Sequence, residues 1–376
     1  MRKLAMLACA GMLLSLALQS HAQIKLGISG PLEGSNAGSM LEVVKGAEIY
    51  IEKVNADGGV NGQKIRIVAR NDNFEVDKTV AVVKQLIEQD NVTALMLVRG
   101  TPHNQAILPI ITEAHVPLIG PSTGAMVFHR PVQKYVFNVR TAYQLEAEKL
   151  VRLLKTSGLE RIAVLHVNDG FGLDVLTGLK SGFIDQNLRP TIVQAFDRVL
   201  AAKDSPEFMS QLLTSLLQGD PQVVIVVGAG LAVKNAVIAI RNAGSQAKIA
   251  TLSNNASTAF IKLLGDNARG VIVSQVFPDE KSLTSPFVRE AQMIAFTRNP
   301  KVTLTPGMME GFAAAKVTVR ALKDAGPNPT RDSLTRALEN LRNFDLGDLV
   351  ISYSPLDHTG LEITDLSMIT AKGFLR

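Results

Sequence analysis

From Ile24 onward the chain alternates short runs rich in Val and Ile with longer stretches whose apolar residues recur every three or four positions. A run of the first kind suits a strand buried on both faces, and a stretch of the second kind lays the apolar stripe of a helix against it. The pattern predicts strands over 24–29, 64–69, 92–98, 116–119 and 135–139, then a second set over 161–167, 191–196, 222–228, 248–252 and 271–277. Between them, 40–54 sets Met40, Val43, Val44, Ala47, Ile51 and Val54 on one helix face, and 77–89 does the same with Val80, Val83 and Ile87. The intervening Asn55-Ala56-Asp57-Gly58-Gly59-Val60-Asn61-Gly62 reads as a helix stop and a tight turn. After Phe277 the rhythm becomes helical over 285–299, 306–326 and 330–343, and ends in strand-like runs at 348–353 and 361–370.

Two successive five-strand β-α halves predict an α/β fold of two doubly wound lobes rather than one large sheet. The last helical block is too small for a sheet of its own, so it must pack on the other two, and the chain then crosses between lobes more than once. Crossings are expected near Arg140, Phe277 and Asp345, with 23–139 plus 278–344 in the first lobe and 140–277 plus 345–376 in the second.

A length of 376 residues agrees with two domains. The first 22 residues carry the three parts of a secretory signal peptide: Arg2 and Lys3, the apolar Leu4 to Leu18, and Ser20-His21-Ala22. Cleavage after Ala22 is expected, giving an exported, periplasmic chain with no membrane insertion once the leader is gone. The formal charge of +5 owes two units to the leader, so 37 Lys plus Arg remain against 34 Asp plus Glu, scattered without basic blocks. That distribution argues against a nucleic-acid partner. Cys9, the single cysteine, lies in the leader, which excludes disulfides, thiolate zinc sites and thiol catalysis elsewhere.

Three stretches imitate enzymes. Gly228-Ala229-Gly230 follows a strand as a dinucleotide fingerprint should, but Val233 stands at the third glycine position and no acid occurs from Pro221 to Gly265 to hold a ribose. Gly120-Pro121-Ser122-Thr123-Gly124 has the form of a nucleophile elbow, and Asp357-His358 completes the order Ser, acid, His. Against it, Phe128-His129-Arg130-Pro131 interrupts the helix an elbow requires, so an exported serine hydrolase using Ser122 and His358 stands as the alternative function. The five histidines beyond the leader, His103, His115, His129, His166 and His358, show no metal-ligand spacing. No catalytic residue, metal or cofactor is expected.

What remains is a set of loops at predicted strand ends: Ser29 to Ser39 with Asn36, then Arg99-Gly100-Thr101, then Ser122 and Thr123, with Gly228 in the second half. Gly, Ser, Thr and Asn at helix starts offer hydroxyls and free N–H groups to an anion, which is binding chemistry without a reaction.

In this setting the chain resembles a known family, the type I periplasmic solute-binding proteins of ABC transporters, branched-chain amino acid group. The resemblance spans 23–376 and rests on Ile28-Ser29-Gly30-Pro31, Asn55 with Gly58-Gly59-Val60-Asn61-Gly62, Gly120-Pro121-Ser122-Thr123, Asn138-Val139-Arg140-Thr141, Asn168-Asp169-Gly170-Phe171-Gly172, and Ser354-Pro355 with His358-Thr359-Gly360. It implies a hinge of three crossings, a ligand carboxylate held by Thr101 and Ser122, and Phe171 covering the ligand from the second lobe. It also implies, as partners, a small-molecule ligand and an ABC permease with its ATPase, and a monomeric chain. A ligand sensor for a membrane receptor has the same sequence features. The family's amino-acid binders present an acid where this chain has Ser253-Asn254-Asn255. Asn254 cannot give an ammonium a charge-assisted bond, so a carboxylate without an amine, or an amide, is expected, unless Glu33 supplies the charge. Arg99 is placed to hold a second carboxylate.

Overall fold

The computed structural model describes residues 23–203 and 205–375, and the expected leader lies outside them. Five parallel strands, β1 (Ile24–Gly30), β2 (Ile65–Asn71), β3 (Ala94–Met96), β4 (Leu118–Ile119) and β5 (Val136–Phe137), form the first sheet in the order β2-β1-β3-β4-β5. The second sheet repeats that winding with β6 (Ile162–Val167), β7 (Val193–Phe196), β8 (Val223–Val227), β9 (Lys248–Thr251) and β10 (Ile272–Gln275), in the order β7-β6-β8-β9-β10. A hairpin of β11 (Phe344–Asp345) and β12 (Val350–Ile351) stands apart. Antiparallel β13 (Asp365–Thr370), which falls within the strand-like run expected at 361–370, and the additional β14 (Gly373–Leu375) extend the second sheet to seven strands.

Twelve α-helices accompany these strands among the described residues: α1 (Ala37–Ala56), α2 (Val76–Glu88), α3 (Thr101–Glu113), α4 (Tyr143–Thr156), α5 (Gly170–Asp185), α6 (Arg198–Ala202), α7 (Pro206–Gln218), α8 (Gly230–Asn242), α9 (Thr258–Leu264), α10 (Pro286–Arg298), α11 (Pro306–Asp324) and α12 (Arg331–Glu339). The period of two along each strand decides which core a side chain joins. Ala94 and Met96, Ile119 and Phe137 enter the core beneath α1 and α11, while Leu95, Leu118 and Val136 enter the one beneath α2 and α3. The second of these continues through Ala125, Phe128 and Tyr143 into the second lobe. All five residues of β8 are fully buried, each worth about 1.5–3 kcal/mol of transfer from water.

The last block differs from expectation at one boundary. From Leu346 to Leu361 the chain stays in the first lobe, with Leu346, Leu349, Ile351, Tyr353 and Leu361 buried in the core that holds Phe312. The third crossing therefore follows Leu361, not Asp345. An apolar run at 348–353 reads the same for a local hairpin as for a strand joining a sheet, and only the partners decide. Here Tyr353 donates its hydroxyl proton to Asn138 O at 2.6 Å, and Asn138 N donates to His358 O at 3.0 Å, fixing the segment beside the first crossing. Leu361 N to Val139 O (2.9 Å) and the Thr141 hydroxyl to Ile363 O (2.6 Å) run the two crossings side by side.

Candidate functional site

Each sheet reverses its winding beside its first strand, between β1 and β3 in one lobe and β6 and β8 in the other. In such sheets ligands bind beyond the carboxyl ends at that reversal. Segments after β1, β2 and β3 face those after β7 and β8 across a cavity of about 260 Å³. The first lobe lines it with Asn36, Ser39, Phe74 and Arg99, the second with Arg198, Lys203 and the Ala229–Ala232 turn. Among the described residues no Asp or Glu lines it.

The lobes meet around this cavity. Near the start of α1, Asn36 Oδ1 accepts from Leu231 N at 3.4 Å, and the Ser39 and Ser257 hydroxyls lie 2.7 Å apart. One turn further, the Glu42 carboxylate accepts from Ala259 N at 2.8 Å and Thr258 N at 3.2 Å, covering the N-terminus of α9. Burial raises the Glu42 pKa, and these hydrogen bonds oppose the rise.

Arg99 ends the β3 segment and crosses the interface. Its Nη2 donates to Asn254 O at 2.9 Å and its Nη1 to Ser122 Oγ at 3.5 Å, and no carboxylate lies within ion-pair distance among the described residues. Burial pulls its pKa below the ordinary guanidinium value, against the fields of Glu310 and Glu42. A guanidinium still stays protonated, so Arg99 is a partly buried cation with no anion of its own.

The residues singled out from the sequence fall into three groups. Asn36 and Arg99 line the cavity. Directly behind Arg99, Gly100 N donates to Ser122 O at 3.3 Å, and the buried Thr101 and Thr123 hydroxyls lie 2.7 Å apart. Gly100 is held at φ 97°, and a Cβ there would lie 2.5 Å from His103 Nδ1, which glycine alone avoids. Gly228 and Asn254 form the third group: Gly228 O accepts from Asn254 Nδ2 at 2.9 Å and Asn255 Nδ2 at 3.1 Å, which leaves Asn254 Oδ1 buried without a hydrogen bond. Phe171 does not reach the cavity. Its ring is buried in the core, 4.9 Å from that of Tyr143, at the start of α5, which Asp169 Oδ1 caps through Phe171 N and Gly172 N. Glu33 is exposed, 3.5 Å from Asn71 Nδ2, and outside the lining.

Phe74, Arg198, Lys203 and Glu42 were not legible as site residues. Asn73 and Phe74 occupy successive positive φ values, 53° and 61°, which no local sequence signal announces for a phenylalanine. The turn is held by buried Asp72, which accepts from Phe74 N, the Ser29 hydroxyl and the Thr79 hydroxyl. It sets the Phe74 ring 4.4 Å from His103, with the Arg198 guanidinium 5.4 Å from its centroid.

At the hinge, Arg140 is buried between the lobes. Its Nη2 lies 3.2 Å from Glu146 of α4 and its Nη1 3.7 Å from Glu310 of α11, and it also donates to the Ser253 hydroxyl. Burial alone would lower its pKa; the surroundings of Tyr143, Glu310 and Glu146 outweigh this and hold it above the ordinary value. The hydrolase pair is not assembled. His358 Nδ1 donates to Val136 O at 2.9 Å, its ring stacks on Phe137 at 4.1 Å, and its buried Nε2 has no hydrogen-bond partner among the described residues, while the Ser122 hydroxyl faces Arg99.

A family model described as "Periplasmic binding protein" matches residues 23–370. An "Amino acid binding protein" of Pseudomonas aeruginosa is 30% identical over 167 residues, 42% of this chain and 43% of that one. "Leu/Ile/Val-binding protein homolog 3" of Brucella melitensis is 23% identical over 343 residues, 89% of this chain and 88% of that one. The crystal structure of a substrate-binding periplasmic protein from Ralstonia solanacearum superposes with a TM-score of 0.83 at 30% identity, covering 93% of this chain and 99% of the other. These homologues are solute-binding proteins and not enzymes, and among the described residues no helix is long and apolar enough to cross a membrane. Paired lobes wound alike, a cavity at their strand ends and a family match along nearly the whole length agree: the chain belongs to the type I periplasmic binding proteins, in the Leu/Ile/Val-binding family.

Proposed function

We propose that this protein is the substrate-binding component of an ABC importer, which captures a small carboxylate-bearing solute by hinge closure and delivers it to a membrane permease served by an ATPase. The reading places the mature chain in the periplasm, released as a monomer by cleavage after Ala22. One observation carries the ligand class: Arg99 stands in the interlobe cavity with no carboxylate of the described residues in reach. Leaving a desolvated cation unpaired costs several kcal/mol, and a carboxylate of the ligand removes that cost. Asn36, Gly100, Thr101, Ser122 and Thr123 support the same wall, and Gly228 with Asn254 the opposite one. The lining offers an ammonium no acid, which favours an organic or aromatic acid or an amide over a standard amino acid. Closure follows from affinity shared between lobes, since a ligand shifts the open-closed equilibrium only by its preference for the closed form.

Isothermal titration calorimetry across organic acids, amides and amino acids tests this. A carboxylate is expected to bind, and Arg99→Met to weaken it at least about tenfold, the 1.4 kcal/mol of one modest charge-assisted bond. A ligand that binds the Arg99→Met variant unchanged would remove Arg99 from the site.

A further inference from the structure

Resting on Arg99 as the anchor of one carboxylate, we infer that the solute carries a second one, held at the mouth of the same cavity by Lys203 with Arg198 beside it, so that the protein selects aliphatic dicarboxylates over monocarboxylates. The charge on the second wall is the reason. Arg198 gives both Nε and Nη2 to a single oxygen, Asp169 Oδ2, at 2.8 and 2.5 Å. The other oxygen, Oδ1, accepts from Phe171 N at 2.9 Å and Gly172 N at 3.2 Å. One carboxylate thus answers both a guanidinium and the positive end of α5, and has nothing to spare for a further cation. Lys203, exposed just past the end of α6, makes no ion pair among the described residues.

Arg99 on one wall and Lys203 on the other therefore bring two whole positive charges to a cavity whose described lining holds no acid. A monocarboxylate answers only one of them. Their mutual repulsion is strongest when the lobes close and water leaves, so a second anionic group favours the closed form. The rest of the lining includes Pro31, Val199, Ala202 and Leu231 beside the neutral Asn36, Ser39 and Asn73, so a methylene spacer meets apolar surface and no competing charge. Phe74 offers little to an aromatic spacer, because its ring is already engaged by His103 and Arg198.

Calorimetry on the purified protein with succinate, glutarate and adipate, each against the monocarboxylate of equal length (butyrate, pentanoate, hexanoate), decides the matter. At least one diacid is expected to bind about tenfold tighter than its monoacid. Lys203→Met should weaken that diacid about two- to fivefold, the upper range of a solvent-screened ion pair, and leave the monoacid nearly unchanged. Equal affinities for both series, no diacid binding at all, or a preference that Lys203→Met leaves undiminished overturns the inference. Arg99→Met separates this from a failure of the underlying reading: it should weaken both series alike, and indifference of both to it would mean that the anchor itself is wrong.

Discussion

Arg140, 2% exposed, is a buried cation at the first crossing. Its partner Glu146, wholly buried, accepts from Ser253 N at 2.8 Å, from the Ser253 hydroxyl at 2.9 Å and from the Ser274 hydroxyl at 2.5 Å, so the pair ties the crossing to β10 and to the turn after β9. A buried pair adds little over an apolar pair of the same shape, but losing one member leaves the other charge desolvated, at about 3–5 kcal/mol. Arg140→Met is therefore expected to lower unfolding free energy by that amount in urea, and Arg140→Met with Glu146→Gln to recover part of it; an additive double variant would show that the two groups are not coupled. Side chains at strand ends were legible in the sequence because strand ends were: Arg99, Ser122 and Asn36 follow from counting apolar runs. Phe74 and Arg198 were not, since their partners lie across the cleft; Arg140 was read as the place of a crossing but not as a buried ion pair, whose partners lie across the hinge; and Phe171 was misplaced because a ring near a helix start can point to the cleft or to the core.

At the scale of elements, the tightest packing is between α1 and α11, and two glycines permit it. A Cβ on Gly46 would lie 1.9 Å from Met308 O, and one on Gly311 1.8 Å from Val43 O, both backbone atoms that cannot yield without moving a helix. Gly311→Ala must push α11 away from α1 and from the first sheet. The expected cost is about 3 kcal/mol or more, at the upper end for overpacking, read as a fall in the urea midpoint; a variant within about 1 kcal/mol of the parent would mean that the two helices slide apart freely. The strands were readable from the sequence because double burial leaves an unbroken apolar run, as in Val223 to Val227, and α1 because its stripe, Met40 to Val54, recurs over about four turns. The hairpin at β11 and β12 and the added β14 were not, because two- and three-residue strands carry no period, and their pairing is decided by which neighbour offers a free edge.

For the whole molecule, stability should fall on mild acidification, and the cause is a set of buried imidazoles. Burial depresses the pKa of His103 and His358, and that of His129 to about 4; both ring nitrogens of His129 are buried without a hydrogen bond among the described residues. An unfolded chain protonates these rings near 6.5, whereas the folded chain resists. Below about pH 6.5 the unfolded state therefore binds more protons, so stability is lost as pH falls from about 6.5 toward about 4, and is fully present above that window. For His129 the span is about 2.5 units, or about 3 kcal/mol at most, a sizeable part of the 5–15 kcal/mol a domain commonly has. Urea unfolding at pH 7 and pH 4.5 should show the loss. Replacing the ring with an apolar side chain of similar size, His129→Leu, should shrink the difference between the two pH values by about 2 kcal/mol while leaving the pH 7 value nearly unchanged. An undiminished pH dependence in that variant would assign the acid sensitivity to His103, to His358 or to the carboxylates, and not to His129.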